Sequence, residues 1–392
     1  MTHKEVILQI FTGGFLENEV TYEQIEKKLK PLLETLTISK IIMGWSTNKD
    51  LYLKTKELLS MYQVEFYLWM PVFSESGLLK PAVTLLDYEG NAVRSYSLKA
   101  GENFEFYCPN QQGNVENVIE IYEENFAQIG FDGIFLDKIR YGSFSNGLSG
   151  VFNCFCPECR KRYQEHGFDV QSLKNEMKKV ALGQNGYAKN PLKIISYKEG
   201  KYQFSELIWE KYFDEKARYI TEALEKITNY FRKRNMKIGM DTFSPFMGYF
   251  AGQDFNRLKT LTDFVKPMMY RVTKSPAGLP FEYYNFIKET TKGNFEYNSS
   301  GFNEILHSSG CVNDKFDIDF IIAELNYITS LNIPIYCGIE INRIDDIAPV
   351  YPEYIRENLE YLEETQVNGY VLSWDLLSAP EENIQEVIRY FK

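Results

Sequence analysis

Short apolar runs recur along the whole chain, and amphipathic stretches of helical length separate most of them. In order the runs are EVILQIF from Glu5, SKIIMGW from Ser39, VEFYLWMPVF from Val64 and FDGIFLD from Phe131. MKIGMD from Met236, TDFVKPMMY from Thr262, IPIYCGIE from Ile333 and VNGYVLSW from Val367 complete the series. Between them lie segments such as TYEQIEKKLKPLLETL, NKDLYLKTKELLSMYQ and NVENVIEIYEENFAQI, which carry a helical pattern. Alternating strand and helix predicts parallel pairing, because a helical crossover returns the chain to the same end of the sheet. Eight strand candidates, each followed by a helix or a long insertion, predict an α/β fold: one (β/α)8 TIM barrel domain over residues 1–392. An open doubly wound sheet is the competing arrangement, but no glycine-rich nucleotide loop follows the first strand.

The length beyond a minimal barrel falls after strands three, four and six, in residues 71–110, 142–205 and 272–315. In the first insertion TLLDYEGNAVRSYSL predicts a hairpin turning at Glu89-Gly90-Asn91. The second carries a cysteine cluster and a predicted helix over 170–181. A long helix over 204–234 then leads into the fifth strand. Insertions in βα loops enlarge the C-terminal face, where barrel enzymes keep their active sites.

Several strands end on an acid at that face. The fourth runs out at Asp137, the fifth at Asp241, the seventh at Glu340 and the eighth at Asp375. In three of them a glycine of the same parity lies upstream: Gly133, Gly239 and Gly338. Side chains of one parity share a face, so these acids are expected to point into the barrel mouth, with no comparable acids at the bottom. An inward acid is unfavourable unless it is solvated, paired or used. A salt bridge or a helix N-cap is the plain alternative for each.

Composition narrows the chemistry. Histidine is nearly absent, with only His3, His166 and His307, so no base stands ready for a Ser-His-Asp or Cys-His apparatus. Glycoside hydrolysis needs only two carboxyl groups, one protonated and one ionised, and requires no cofactor. Rings suited to stacking on a sugar face sit near strand ends: Trp45, Trp69, Tyr270 and Trp374. Arg140 and Tyr141 follow the fourth-strand acid and join the candidate binding set. A net charge of −11 argues against nucleic acid or an anionic membrane as partner and suits a neutral carbohydrate. No transmembrane run and no leader pattern are visible, which points to the cytoplasm. Abundant aromatics leave room for a homo-oligomer.

The segment GFDGIFLDKIRYGS resembles the fourth-strand signature of glycosyl-hydrolase-like barrels near the α-amylase and α-galactosidase superfamily. Such barrels carry a Gly-hydrophobic-hydrophobic-hydrophobic-Asp strand followed by Ile/Val-Arg-Tyr/Phe. They also carry a CPN-like segment, matched by Cys108-Pro109-Asn110, and a cysteine-rich insertion, matched by CFCPEC. The resemblance covers roughly residues 106–163. It implies that Asp137 is the fourth-strand catalytic aspartate and adds Asn110 to the substrate-binding candidates. On the fifth strand amylase-type enzymes place a Glu, whereas this chain has Asp241, and its strand-end Glu is Glu340. The general acid is therefore either of these, with Asp375 in support. Two other classes compete: a carbohydrate-binding barrel without catalysis, and a barrel enzyme holding a divalent metal on these acids. Scarce histidine and the strand lysines Lys138 and Lys266, neither placed at the mouth, weigh against the latter.

Cys154, Cys156 and Cys159 in CFCPEC, with Cys108 upstream, offer four thiolates to a structural zinc. Free thiols are the alternative. Cys311 and Cys337 read as buried small apolar residues.

Overall fold

The computed structural model of the chain describes residues 4–13, 19–74, 82–98, 102–183, 192, 194–291, 316 and 318–392. His3, His307 and Cys311, with much of the 272–315 insertion, lie outside them. Eight parallel strands form one sheet: β1 (Glu5–Phe11), β2 (Ile38–Gly44), β3 (Glu65–Pro71), β4 (Gly133–Asp137), β5 (Lys237–Thr242), β6 (Phe264–Pro267), β7 (Tyr336–Glu340) and β8 (Gly369–Ser373). Each pairs with its sequence neighbour, and β1 pairs with β8 from Glu5↔Gly369 to Leu8↔Leu372. Parallel bridges Val265↔Ile335 and Met268↔Gly338 link β6 to β7 and close the barrel.

Helices fill the crossovers. The first, α1 (Tyr22–Leu33), starts at a capping box in which Gln24 N donates to Thr21 Oγ1 and Thr21 N donates to Gln24 Oε1. The second, α2 (Lys49–Ser60), is capped by Asn48, and α3 (Gln112–Asn125) leads into β4. Within residues 142–205 lie α4 (Pro157–Glu165), α5 (Val170–Gly183) and an antiparallel hairpin of Ile194–Lys198 with Lys201–Phe204, which the pattern did not show. The long helix is α6 (Leu207–Arg232), and its buried stripe runs through Trp209, Tyr212, Phe213, Lys216, Tyr219, Ile220 and Ala223. After β6 comes α7 (Leu279–Thr291). The turn expected at Glu89-Gly90-Asn91 forms: Gly90 has φ 95° and Asp87 N donates to Asn91 O at 2.8 Å.

The barrel interior is an aromatic and aliphatic plug of Ile7, Ile42, Trp45, Tyr67, Trp69, Phe135, Phe264, Tyr336 and Val371. The same-parity glycines now have a physical reason. A Cβ on Gly133 would sit 2.2 Å from the Tyr67 ring, and one on Gly239 would sit 2.3 Å from Phe264. One on Gly338 would meet the Lys266 stem at 2.6 Å. Each glycine makes room for a large side chain in the layer beneath an acid.

The bottom of the barrel corrects one expectation, because acids do occur there. Asp132 Oδ2 accepts from Phe66 N at 2.8 Å and Asp263 Oδ2 from Ile238 N at 2.7 Å. Asn368 Oδ1 accepts from Ile335 N at 2.9 Å in the same way. A polar residue just ahead of one strand satisfies the first free N–H of its neighbour, so these groups are structural.

Candidate active site at the barrel mouth

A cavity opens at the C-terminal ends of the strands. Asp137, Asp241, Arg140, Lys138 and Glu102 contribute its charged wall, and Phe11, Trp45, Trp69, Phe104, Tyr270 and Trp374 its aromatic wall. Asp137 ends β4 and is held on both oxygens. Trp69 Nε1 donates to Oδ2 at 2.9 Å, and Lys138 N donates to Oδ1 at 2.5 Å. Lys138 turns the chain with φ 51°, so the carboxylate is fixed as the strand breaks off.

Asp241 lies on the neighbouring strand, one position past the register pair Leu136↔Met240 that aligns β4 with β5. Its surroundings differ from those of Asp137. Lys266 Nζ donates to Oδ2 at 2.8 Å, while Oδ1 is enclosed and has no hydrogen-bond partner among the described residues. Burial lifts its pKa to about 7; Lys266 pulls it down and the Asp137 charge pushes it up. The two acids are therefore held differently, Asp137 by N–H donors on both oxygens and Asp241 by a lysine on one, and unlike surroundings are how paired carboxyls take separate roles.

Lys266 is a correction to the sequence reading. It is completely buried inside the barrel, where Nζ also donates to Gln9 Oε1 at 2.9 Å and meets Tyr270 Oη at 2.6 Å. Lys138 is corrected too: it lines the cavity, pairs with Glu102 at 2.8 Å and stands 4.6 Å above the Trp45 ring. The sequence held a signal for this network. Gln9 in VILQIF and Lys266 in FVKP are polar residues inside apolar strands, and a buried polar side chain needs a partner.

The other two strand-end acids stand apart from the cavity. Glu340 Oε1 accepts from Val272 N, Thr273 N and Thr273 Oγ1 at 3.1, 3.2 and 3.0 Å, and Tyr354 Oη donates to Oε2. Asp375 accepts from Phe11 N, Leu377 N, Ser378 N and Ser378 Oγ. Both tie loops to the barrel rim with every oxygen occupied. Sequence parity cannot distinguish them from Asp137, because parity gives a face and not a partner: the donors to Glu340 come from distant segments, and those to Asp375 from Leu377 and Ser378 in its own loop and from Phe11.

Of the binding candidates, Trp45, Trp69, Arg140, Tyr270 and Trp374 line the cavity. Phe11, Trp45 and Trp69 pack edge to face with centroids 4.9 to 5.8 Å apart, giving a fixed aromatic wall. Tyr141 and Asn110 do not line it. Tyr141 is fully buried with Lys216 Nζ 4.7 Å from its ring centre, and Asn110 Nδ2 donates to Cys159 Sγ at 3.2 Å. His166 pairs with Glu215 at 2.6 Å, also away from the cavity. A larger groove of about 330 Å³ runs between the Lys201–Phe204 strand and the start of α6, and no strand-end acid reaches it.

The cysteines converge beneath the loop that follows β4. The sulfurs of Cys108, Cys154, Cys156 and Cys159 lie within 4.8 Å of one another and all four residues are buried. Cys108 Sγ is 3.4 Å from Cys159 Sγ and 3.7 Å from Cys156 Sγ, well beyond a disulfide bond. Gln111 Nε2 donates to Cys156 Sγ at 3.4 Å and Leu86 N to Cys154 Sγ at 3.5 Å. Four convergent sulfurs ringed by N–H donors are the donor set a tetrahedral zinc takes, with outer hydrogen bonds placed to stabilise thiolate charge. Cys337, buried on β7, stands apart from this cluster, as an isolated small apolar residue should.

No family model and no curated protein matches the sequence. The fold matches solved structures. Over 100% of this chain and 99% of the other, it is similar to the glycoside hydrolase domain of PgaB (BpsB) from Bordetella bronchiseptica, at TM-score 0.57 and 14% identity. It is also similar to alpha-L-fucosidase isoenzyme 2 from Paenibacillus thiaminolyticus, at TM-score 0.54 and 12% identity, covering 98% of this chain and 48% of that one. The beta-galactosidase of the psychrophilic Marinomonas ef1 matches at TM-score 0.53 and 9% identity, over 98% and 58%. At these identities the likeness establishes the (β/α)8 fold. Among the described residues no helix is long and apolar enough to cross a membrane.

Proposed function

We propose that the protein is a glycoside hydrolase acting on a carbohydrate at the barrel mouth, with Asp137 and Asp241 as its working acids. The carrying observation is one cavity holding two differently held carboxyl groups against a fixed aromatic wall. Solved barrels of this fold described as glycoside hydrolase, fucosidase and galactosidase support the reaction class. Asp137, with both oxygens anchored by N–H donors, acts as the ionised group and attacks the anomeric carbon. Asp241, with a bare oxygen and a pKa near 7, carries the proton delivered to the leaving oxygen. Trp45, Trp69, Tyr270 and Trp374 hold the sugar ring and Arg140 a substituent.

Adjacent strands are ~4.8 Å apart, and the two acids occupy consecutive strands at the same level. That spacing suits the ~5–5.5 Å separation of a retaining enzyme better than the ~6.5–9.5 Å of an inverting one. On a panel of aryl glycosides, Asp137→Asn is expected to lower kcat by about 10³-fold or more while leaving ligand binding measurable. NMR of the first product is expected to show the starting anomer. Turnover unaffected by Asp137→Asn, or an inverted product, would overturn the respective assignment.

We also propose that the four cysteines hold a structural zinc that pins the loop after β4 beside Asp137. Reduced thiols of this kind suit a reducing compartment and so support a cytoplasmic location.

A further inference from the structure

Arg140 stands out among the charged groups of the cavity. It is 3% exposed, and burial lowers its pKa to about 10. Its guanidinium is clamped between two rings, 4.3 Å from the centre of Phe106 and 4.1 Å from that of Phe243, so its plane is fixed. Among the described residues its one hydrogen bond runs from Nη1 to Tyr141 O at 3.0 Å, and no carboxylate comes within ion-pairing distance. Glu282, Asp137, Glu102 and Asp241 act on it only across space. A guanidinium carries five N–H donors, and Arg140 lines the cavity with most of them outside the hydrogen bonds of the described residues.

The other cations of this region are matched. Lys138 pairs with Glu102 at 2.8 Å and Lys266 with Asp241 at 2.8 Å. Nearby carboxylates support the charge of Arg140 across space, but its N–H donors are largely unused among the described residues, and a buried donor is satisfied by an acceptor on whatever fills the adjoining space. A planar fork held rigid by two rings is preorganised for a group with two oxygens on one side, such as a carboxylate or a sulfate.

We infer that the substrate is an acidic saccharide whose anionic substituent, a uronic carboxylate or a sulfate ester, docks on Arg140 beside Asp137. This refines the expectation of a neutral sugar, and it rests on the reading that this cavity receives the sugar. A neutral hydroxyl would meet the fork with one acceptor, where a carboxylate or sulfate meets it with two.

Binding of D-glucuronate, D-galacturonate and D-glucose 6-sulfate, each against its neutral parent D-glucose or D-galactose, tests the inference directly. Ligand-observed NMR titration of the wild type, Arg140→Gln and Arg140→Lys would supply the affinities, with circular dichroism confirming that each variant is folded. At least tenfold tighter binding of an anionic sugar is expected in the wild type. That preference is expected to collapse in Arg140→Gln and to survive in part in Arg140→Lys, which keeps the charge but loses the fork. Preference for uronates alone assigns a carboxylate, and preference for the sulfate alone a sulfate ester. Equal binding of neutral and anionic sugars by the wild type, no measurable binding of any anionic sugar, or a preference that persists in folded Arg140→Gln would overturn it. Because the readout is binding, it separates from the hydrolase reading: a protein that prefers anionic sugars yet cleaves none refutes hydrolysis and leaves the anion site standing.

Discussion

Asp241 and Asp137 look alike in sequence, each an acid closing an apolar strand, yet their neighbours hold them differently, which is the basis of the separate roles proposed for them. Asp241 has Lys266 on one oxygen and, among the described residues, no hydrogen-bond partner on the other, in a setting where burial dominates. A proton donor must be protonated, so activity is expected to fall as pH rises through about 7. Lys266 pulls the Asp241 pKa down, so replacing it with Met should move that alkaline limb upward and slow turnover. The kcat/KM against pH profile of Lys266→Met checks this. A limb that stays in place would remove Lys266 from control of the acid. Glu340 shows the opposite case, a strand-end acid whose oxygens are all used by loop donors and Tyr354.

At the scale of elements, the loop after β4 and the segments packed on it depend on side chains buried in unusual ways. The cysteine cluster joins Cys108, just before α3, to the start of α4. One zinc per chain is expected by elemental mass spectrometry. Cys159→Ser should lose the metal and lower Tm, and a metal-free wild type of unchanged Tm would exclude the site. On the far side of the insertion, Glu324 accepts from Tyr197 Oη at 2.6 Å, Ser244 Oγ at 2.7 Å and Phe246 N at 2.8 Å, tying the Ile194–Lys198 hairpin to the loop after β5. Burial raises its pKa from 4.5 to about 6. A raised folded-state pKa contributes stability that is fully present below the unfolded value near 4.5 and lost as pH rises through about 6. The swing is on the order of 2 kcal/mol. In denaturant titrations the stability of Glu324→Gln relative to the wild type should therefore rise between pH 4 and pH 8 by about that amount, and an unchanged difference between the two would remove Glu324 from this role.

At the scale of the whole molecule, the sequence by itself determined the eight strands, their parallel pairing and the barrel fold. Those features depend on local periodicity and on crossovers long enough for a helix, both of which are written along the chain. It also marked Asp137, Asp241 and the cysteines, because an acid ending an apolar run and closely spaced thiols are local signals. The short hairpin Ile194–Lys198 and Lys201–Phe204 is not legible in the pattern, since its alternation is brief and is broken by the charged turn Lys198-Glu199-Gly200-Lys201. Only the tertiary structure decided which strand-end acids face the cavity. Glu340 and Asp375 stand apart from it, the first held by Thr273 and Tyr354 and the second by its own loop at Leu377 and Ser378 together with Phe11. It alone brought Lys266 onto Asp241 and Gln9, moved Asn110 to the cysteines, sealed Tyr141 beneath the loop and left Arg140 clamped between Phe106 and Phe243 with donors to spare. The physical reason is the same in each case. Periodicity assigns a residue to a face, but the partner that fixes its charge and direction comes from a part of the chain that only folding brings near.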